Sequence, residues 1–383
     1  MNLIIMKKIA LSVLMILLFF SCKEEKKTPT IEKDKTEVFQ SILDSIYNQN
    51  KDAIGLMVHI EAPDAKISWS GVAGFSDKGN TELKPNQPVL IASNTKTYVS
   101  AAILKLVDQS RLDLNQTIDT LIFDKTNTTL KADGYNTSKI KVAQLLNHTS
   151  GIHDYATTDA YMEMVKTNPK HRYTRDEQIQ LAMSFGDPLG EAGDVFSYAD
   201  VNYLLLTEII EGVTEQPFYT SIRDLINYNK LGMQTTWFST LEDYPKNTLP
   251  IVHQYWTSEG FDNYEIDHSF DLYGGGGIAS TSKDLAVFCQ SLFTNQIFDK
   301  PETLNLIYTK ANPKEPMQSD YYLGLSSVDF DGIKGFGHGG FWGTAVNYFP
   351  ELNASIAVFI LDRDKRALRL DINKGILKAL SEL

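Results

Sequence analysis

Two cysteines are all that the 383 residues offer, and one of them, Cys22, closes an apolar leader, so no intramolecular disulfide can hold the remaining chain together. The other, Cys289, stands in the apolar helical run LAVFCQSLF, where a buried, inert thiol is expected. Basic charge is short as well. With 36 Lys and Arg against 48 Asp and Glu, the formal charge of -12 argues against sequence-independent nucleic-acid binding, and small-molecule or cell-wall substrates fit better. No Gly-x-Ser-x-Gly occurs, which disfavours an α/β-hydrolase with a nucleophile elbow. The seven histidines are scattered, none falls in a His-Glu-x-x-His, and His148 with His153 is poorly spaced for one helix face, so neither a metal site nor a cofactor is expected.

The N-terminus is not fold. Lys7 and Lys8 precede the apolar run from Ile9 to Phe20, which ends at Ser21-Cys22, so residues 1–21 read as a secretory signal. The run is short for a membrane span, although an uncleaved anchor is the competing reading. The arrangement resembles a bacterial lipoprotein signal, with Phe19 where Leu or Val is commoner. That resemblance implies a lipid on Cys22 and a protein held at the outer membrane, on its periplasmic side or its surface. Residues 22–35, including KEEKKTPTIEKDK, carry too little apolar surface to fold and read as a flexible tether.

The rest, residues 36–383, is long enough for two lobes. Val38, Phe39, Ile42, Leu43, Ile46 and Tyr47 mark an amphipathic helix, and IGLMVHI and KISWSGVAG follow as strands around a turn at Pro63-Asp64. Helical periodicity dominates from about 93 to 285. Strand patterns return in YYLGLSSVDF, GTAVNYFP and ASIAVFILD, before RALRLDINKGILKALSEL closes as a helix. Strands at both ends of a helical middle predict an α/β (α+β) architecture: one antiparallel sheet from residues about 36–92 and 286–383, flanked by terminal helices, with a helical lobe of about 93–285 inserted.

Ser-x-x-Lys occurs three times. Ser138/Lys141 lies in polar YNTSKIK and Ser280/Lys283 in ASTSKDLAVF, where hydroxyls before a helix are expected caps. Ser93/Lys96 differs, because an apolar segment leads into it and Val99, Ala102, Ile103 and Leu106 continue a helix behind it. Residues i and i+3 share a helix face, so the Lys96 nitrogen can reach the Ser93 oxygen; a plain N-cap is the structural alternative. Tyr198-Ala199-Asp200 stands immediately before another apolar helix, where a buried tyrosine and a capping aspartate compete with a proton-relaying phenol. His338-Gly339-Gly340 opens a strand; glycines there let a substrate approach the backbone, and the histidine supplies a donor.

The ordered set Ser93-x-x-Lys96, Tyr198-x-Asp200 and His338-x-Gly340 resembles the penicillin-recognising serine hydrolases, in the branch of class C β-lactamases, DD-carboxypeptidases, D-aminopeptidases and related esterases. VAQLLNHTSGIHDY, NKLGMQTTWF and GGGGIASTSKDLAVF follow the family's order. The resemblance implies a β-lactamase/transpeptidase-like fold and attack by Ser93 on a peptide, ester or lactam carbonyl to give an acyl-enzyme that water hydrolyses. It implies that Lys96 and Tyr198 share proton transfer, that Asp200, His338 and Gly340 bind substrate, and that the backbone N–H groups of Ser93 and Phe341 form the oxyanion hole. His148 is, on this resemblance, a structural part of a family marker.

Two positions depart from the family. Asn is common where Asp200 stands, and Lys is the β-lactamase choice where His338 stands. An ionised Asp200 cannot donate to a substrate carbonyl, so efficient β-lactam hydrolysis is not expected. Bringing a lysine from about 10.4 to about 7 costs roughly 4.6 kcal/mol, and a carboxylate about 4 Å away opposes this by about 4 kcal/mol more at an effective dielectric of about 20. Either Asp200 turns away to cap its helix, or it holds Lys96 charged and leaves more of the base role to Tyr198. A catalytically silent binding module on the same fold is the remaining alternative.

Overall fold

The computed structural model describes residues 35–317 and 319–383; the leader, Cys22 and the tether up to residue 34 lie outside the described residues. Six strands form one antiparallel sheet: β1 (Gly55–Ala62), β2 (Ile67–Gly74), β3 (Ser326–Phe330), β4 (Ile333–Gly339), β5 (Thr344–Phe349) and β6 (Ala354–Ile360), in the spatial order β2-β1-β6-β5-β4-β3. The first and last parts of the chain meet where β1 pairs β6, with Val58 opposite Val358.

The strand alternation assigns two cores. Leu56, Val58, Ile60, Ile356 and Val358 face helices α1 (Lys35–Gln49) and α5 (Leu368–Ser381), which contribute Phe39, Leu43, Ile372 and Ile376. Met57, Val346, Ala357 and Phe359 point the other way, into the larger core shared with the helical region. There α2 (Thr95–Asp108) and α3 (Asp200–Thr214) are buried around most of their circumference, which is why their sequences are apolar on nearly every face. Helix α4 (Ser282–Phe293) packs on β1, β5 and β6, so the helix that carries Cys289 lies against the sheet, with its thiol buried.

Two stretches differ from the sequence pattern. The helical region also holds a small antiparallel sheet, Val89–Leu90, Ile278–Ser280 and Thr236–Phe238, with Ile278–Ser280 in the middle. YYLGLSSVDF is not one strand. Its regular part begins at Ser326, because Gly324 adopts φ +80 and tucks against Ser100 and the Tyr203 hydroxyl, where a Cβ would be 2.6 Å from the Ser100 side chain. Among the described residues no helix is long and apolar enough to cross a membrane.

Candidate active site

The extended Val89–Leu90 pair delivers the chain into a single 3₁₀ turn, Ala92–Asn94, from which α2 continues. Ala92 sits at φ +48, an uncommon conformation for a residue with a Cβ, immediately before Ser93. The turn is pinned from across the fold: Asn94 Nδ2 donates to Ile91 O (2.8 Å) and Thr344 Oγ1 (2.9 Å), and Thr344 Oγ1 donates to Ile91 O (2.9 Å). Asn94 occupies the cap position of α2 without a side-chain capping bond, so Ser93 is not an N-cap. Its hydroxyl instead opens onto a cavity of about 200 Å³ that Tyr198, Asp200, Asp271 and Phe341 also line.

Lys96 is fully buried one helical turn along. Its Nζ donates to Ser93 Oγ at 3.2 Å and to Gly275 O at 2.7 Å, and lies 2.6 Å from Asp200 Oδ1. Burial favours the neutral amine, but the Asp200 carboxylate, with Tyr198 and Asp271 adding to it, outweighs burial and raises Lys96 above its ordinary value. Of the two fates weighed for Asp200, the structure selects the ion pair. Asp200 does not cap its own helix; that helix starts from Ala199, and Asp154 Oδ1 accepts from the Asp200 N–H at 2.7 Å. The glycine run behind the pair has a reason, since a Cβ on Gly275 would stand 3.0 Å from the Asp200 carboxyl carbon.

Tyr198 completes the group around the hydroxyl, within hydrogen-bonding reach of both Lys96 and Ser93, with Lys96 Nζ 4.8 Å from its ring centre. Burial pushes its phenol up to about 12, against the pull of the Lys96 ammonium. The NHTSGIHD stretch positions this tyrosine. His148, at φ +59, lays its ring 4.4 Å from that of Tyr198, accepts at Nδ1 from the Ala199 N–H (3.2 Å), and takes the Ser197 N–H on its own carbonyl. Ser150 donates to Asn202 (2.7 Å), fixing the next turn of the helix. Burial, and then the Lys96 charge, drive His148 well below its ordinary value, so the ring is neutral.

The downstream motif sits differently from its expected role. His338 is buried, its Nδ1–H donates to Gly339 O (2.6 Å), and its Nε2 accepts from the Tyr321 hydroxyl (3.0 Å). Both nitrogens are therefore occupied within the protein. Burial, reinforced by the Lys96 charge, pushes the ring down to about 3, so His338 offers a substrate neither a cation nor a free donor. The close approach that Gly340 permits is to the nucleophile turn: a Cβ there would collide with Thr344 Oγ1 and Ile91 O, a contact the chain needs whether or not substrate is bound. Phe341 follows and lines the cavity. Among the described residues its N–H and that of Ser93 have no protein acceptor, as an oxyanion-binding pair requires.

Sequence reasoning missed Asp271, Asp154 and Tyr321. The first lines the cavity from the 3₁₀ turn His268–Asp271, the second holds the start of α3, and the third supports His338; Asp271 belongs to no motif-like stretch, whereas Asp154 stands inside NHTSGIHD and Tyr321 opens YYLGLSSVDF, so the signal for those two was present without pointing to their roles. A second serine touches an imidazole elsewhere: Ser70 Oγ is 2.6 Å from His59 Nδ1, whose Nε2 is 2.7 Å from Glu61, across the paired strands β1 and β2. None of these three lines the cavity that holds Ser93.

This sheet-and-helix architecture, with Ser93, Lys96 and Tyr198 gathered at one cavity, is that of the penicillin-recognising serine hydrolases, with a β-lactamase/transpeptidase-like fold. The chain belongs to the beta-lactamase family, whose model matches residues 44–380. Protein flp of Staphylococcus aureus (strain MW2) is 35% identical over 163 residues, 42% of this chain and 30% of that protein. A candidate D-alanyl-D-alanine carboxypeptidase of Escherichia coli (strain K12) is 33% identical over 285 residues, 65% of this chain and 63% of the relative. The chain thus spans less than two thirds of either relative. The D-amino acid amidase from Ochrobactrum anthropi SV3, solved with L-phenylalanine amide, superposes with a TM-score of 0.76 at 21% identity, over 91% of this chain and 99% of the amidase.

Proposed function

We propose that this serine hydrolase cleaves an amide or ester bond through an acyl-enzyme on Ser93, as a D-Ala-D-Ala carboxypeptidase-like enzyme or a D-amino-acid peptidase or esterase of the cell envelope. The observation that carries the reading is the Ser93 hydroxyl, open to a cavity and 3.2 Å from the Lys96 nitrogen, with the Tyr198 phenol alongside. Ser93 Oγ attacks the carbonyl carbon and its proton passes to the Lys96–Tyr198 cluster; the tetrahedral oxyanion takes the N–H groups of Ser93 and Phe341. The cluster returns the proton to the leaving group, and water then releases the acyl group by the reverse relay.

For that relay the cluster must first lose one proton, as a phenolate beside an ammonium or as a neutral amine. Asp200 opposes both forms, since it raises Lys96 and Tyr198 alike. In Asp200→Asn the apparent pKa on the ascending limb of kcat/KM is therefore expected to fall by more than about one unit, given charge–charge energies of several kcal/mol at this range. A pH–rate profile checks it; an unmoved limb contradicts the charged-lysine account.

With Asp200 ion-paired and His338 neutral, the site lacks the amide donor and the cation that a β-lactam would meet in the lactamase branch, so chromogenic cephalosporin turnover is expected to be slow. A panel of chromogenic esters, D-amino-acid anilides and nitrocefin tests this, with Ser93→Ala as the control. Ser93-dependent turnover of esters or anilides above nitrocefin supports the reading; no turnover of any member favours a silent binding module. Anchoring through a lipid on Cys22, at the periplasmic side or surface of the outer membrane, belongs to the same proposal and rests on the leader sequence alone.

A further inference from the structure

Asp271 is the carboxyl in the cavity to which the reaction gives no contact, although its charge is felt at Lys96. It lines the same space as Ser93 and Asp200 and makes no hydrogen bond or ion pair among the described residues. Lys96, the cation nearby, is committed to its ion pair with Asp200 (2.6 Å) and to hydrogen bonds with Gly275 O (2.7 Å) and Ser93 Oγ (3.2 Å). The other groups that face Asp271 are Asp200 from α3 and the Tyr155 and Tyr161 phenols, both held protonated by burial. Its backing is built for it. A Cβ on Gly276 would collide with both carboxylate oxygens, so the glycine run makes room for the carboxyl at this spot. The cavity walls beside it are apolar: Phe270, Met162 and the Phe341 ring.

We propose that Asp271 receives a primary ammonium group on the acyl side of the substrate, so that the enzyme acts on aminoacyl amides or esters with a free amine. The inference rests on the serine-hydrolase reading and narrows it. A carboxyl enclosed with a second carboxylate and no cation of its own is incomplete: burial, then Asp200, push Asp271 up to about 7 in the empty site. A ligand ammonium supplies both the missing charge and the missing donors. An N-acylated peptide keeps one N–H at that position but no positive charge, and adds a carbonyl acceptor beside the carboxylate, so it is disfavoured by the same group that attracts the amine.

The test uses the full chain and three anilides alike in leaving group: D-alanine p-nitroanilide, its propionyl analogue lacking the amine, and its N-acetyl derivative. The wild type is expected to favour the free amine by about 10- to 100-fold in kcat/KM, the scale of one charge-assisted contact. Asp271→Asn is expected to lose that margin, chiefly through KM, so that the three anilides come within about threefold of one another; a change common to all three, from removing its charge beside Lys96, cancels in that ratio. A margin that survives in Asp271→Asn overturns the proposal, as does an equal fall for all three. Should the variant misfold, the wild-type comparison decides by itself: no preference for the free amine overturns the proposal. A readout independent of turnover is protection of Ser93 from a fluorophosphonate probe, in which D-alaninamide must outperform propionamide. Equal protection overturns the ammonium site alone, whereas a wild type that is never labelled at Ser93 overturns the hydrolase reading with it.

Discussion

Ser93→Ala is expected to lower kcat by at least about 10⁴-fold on any substrate the wild type turns over, because among the described residues Ser93 is the only serine lining the cavity and nucleophile losses act on the catalytic unit as a whole. The fold should scarcely notice. Ser93 Oγ accepts from Lys96 and has the Tyr198 phenol within reach, and the ammonium keeps Asp200 and Gly275 O when the hydroxyl is gone. The expected stability change is under about 1 kcal/mol, the net value of one hydrogen bond. Steady-state kinetics beside a denaturant titration checks both halves, and a variant that lost activity by unfolding would show it in the second.

Lys96→Met carries the second large effect, and it has two separable parts. Activity should fall by about 10⁴-fold, since both the proton relay and the charge beside the phenol are removed. Stability should also fall, by about 3–5 kcal/mol, because Asp200 is left buried without its cation. Methionine fills a similar volume, which keeps cavity effects small. The double variant Lys96→Met/Asp200→Asn discriminates between the parts: stability should return to within about 1–2 kcal/mol of the wild type while activity stays lost. If the single variant is as stable as the wild type, Asp200 is not the buried, ionised partner described above.

The legible part of this site was the part written locally. A serine and a lysine three apart on an apolar helix must share a face, and Tyr198-x-Asp200 stands before a strongly patterned helix, so Ser93, Lys96, Tyr198 and the sheet-plus-helices plan could be read along the chain, whereas His338-Gly339, read as the opening of a strand, closes β4. What could not be read was how the distant groups use their hydrogen bonds. His338 looks like a donor in sequence, yet it spends its proton on the neighbouring carbonyl, and its other nitrogen faces Tyr321, a residue in an irregular stretch. Gly340 looks like room for substrate, yet its space is filled by the nucleophile turn. Asp271 was invisible because a lone aspartate in a loop is indistinguishable from solvated background until the fold closes around it. For Asp200 the sequence left two physically consistent options, and only the 2.6 Å contact with Lys96 separates them.

The central claim is that Ser93 Oγ is the atom that bonds to the substrate acyl group. Intact-protein mass measurement after exposure to a fluorophosphonate, followed by peptide mapping, tests it directly. A single adduct is expected on the peptide containing Ser93, absent from Ser93→Ala and slowed by Lys96→Met. An adduct that persists in Ser93→Ala, or one that maps to Ser70 beside His59, would contradict the account.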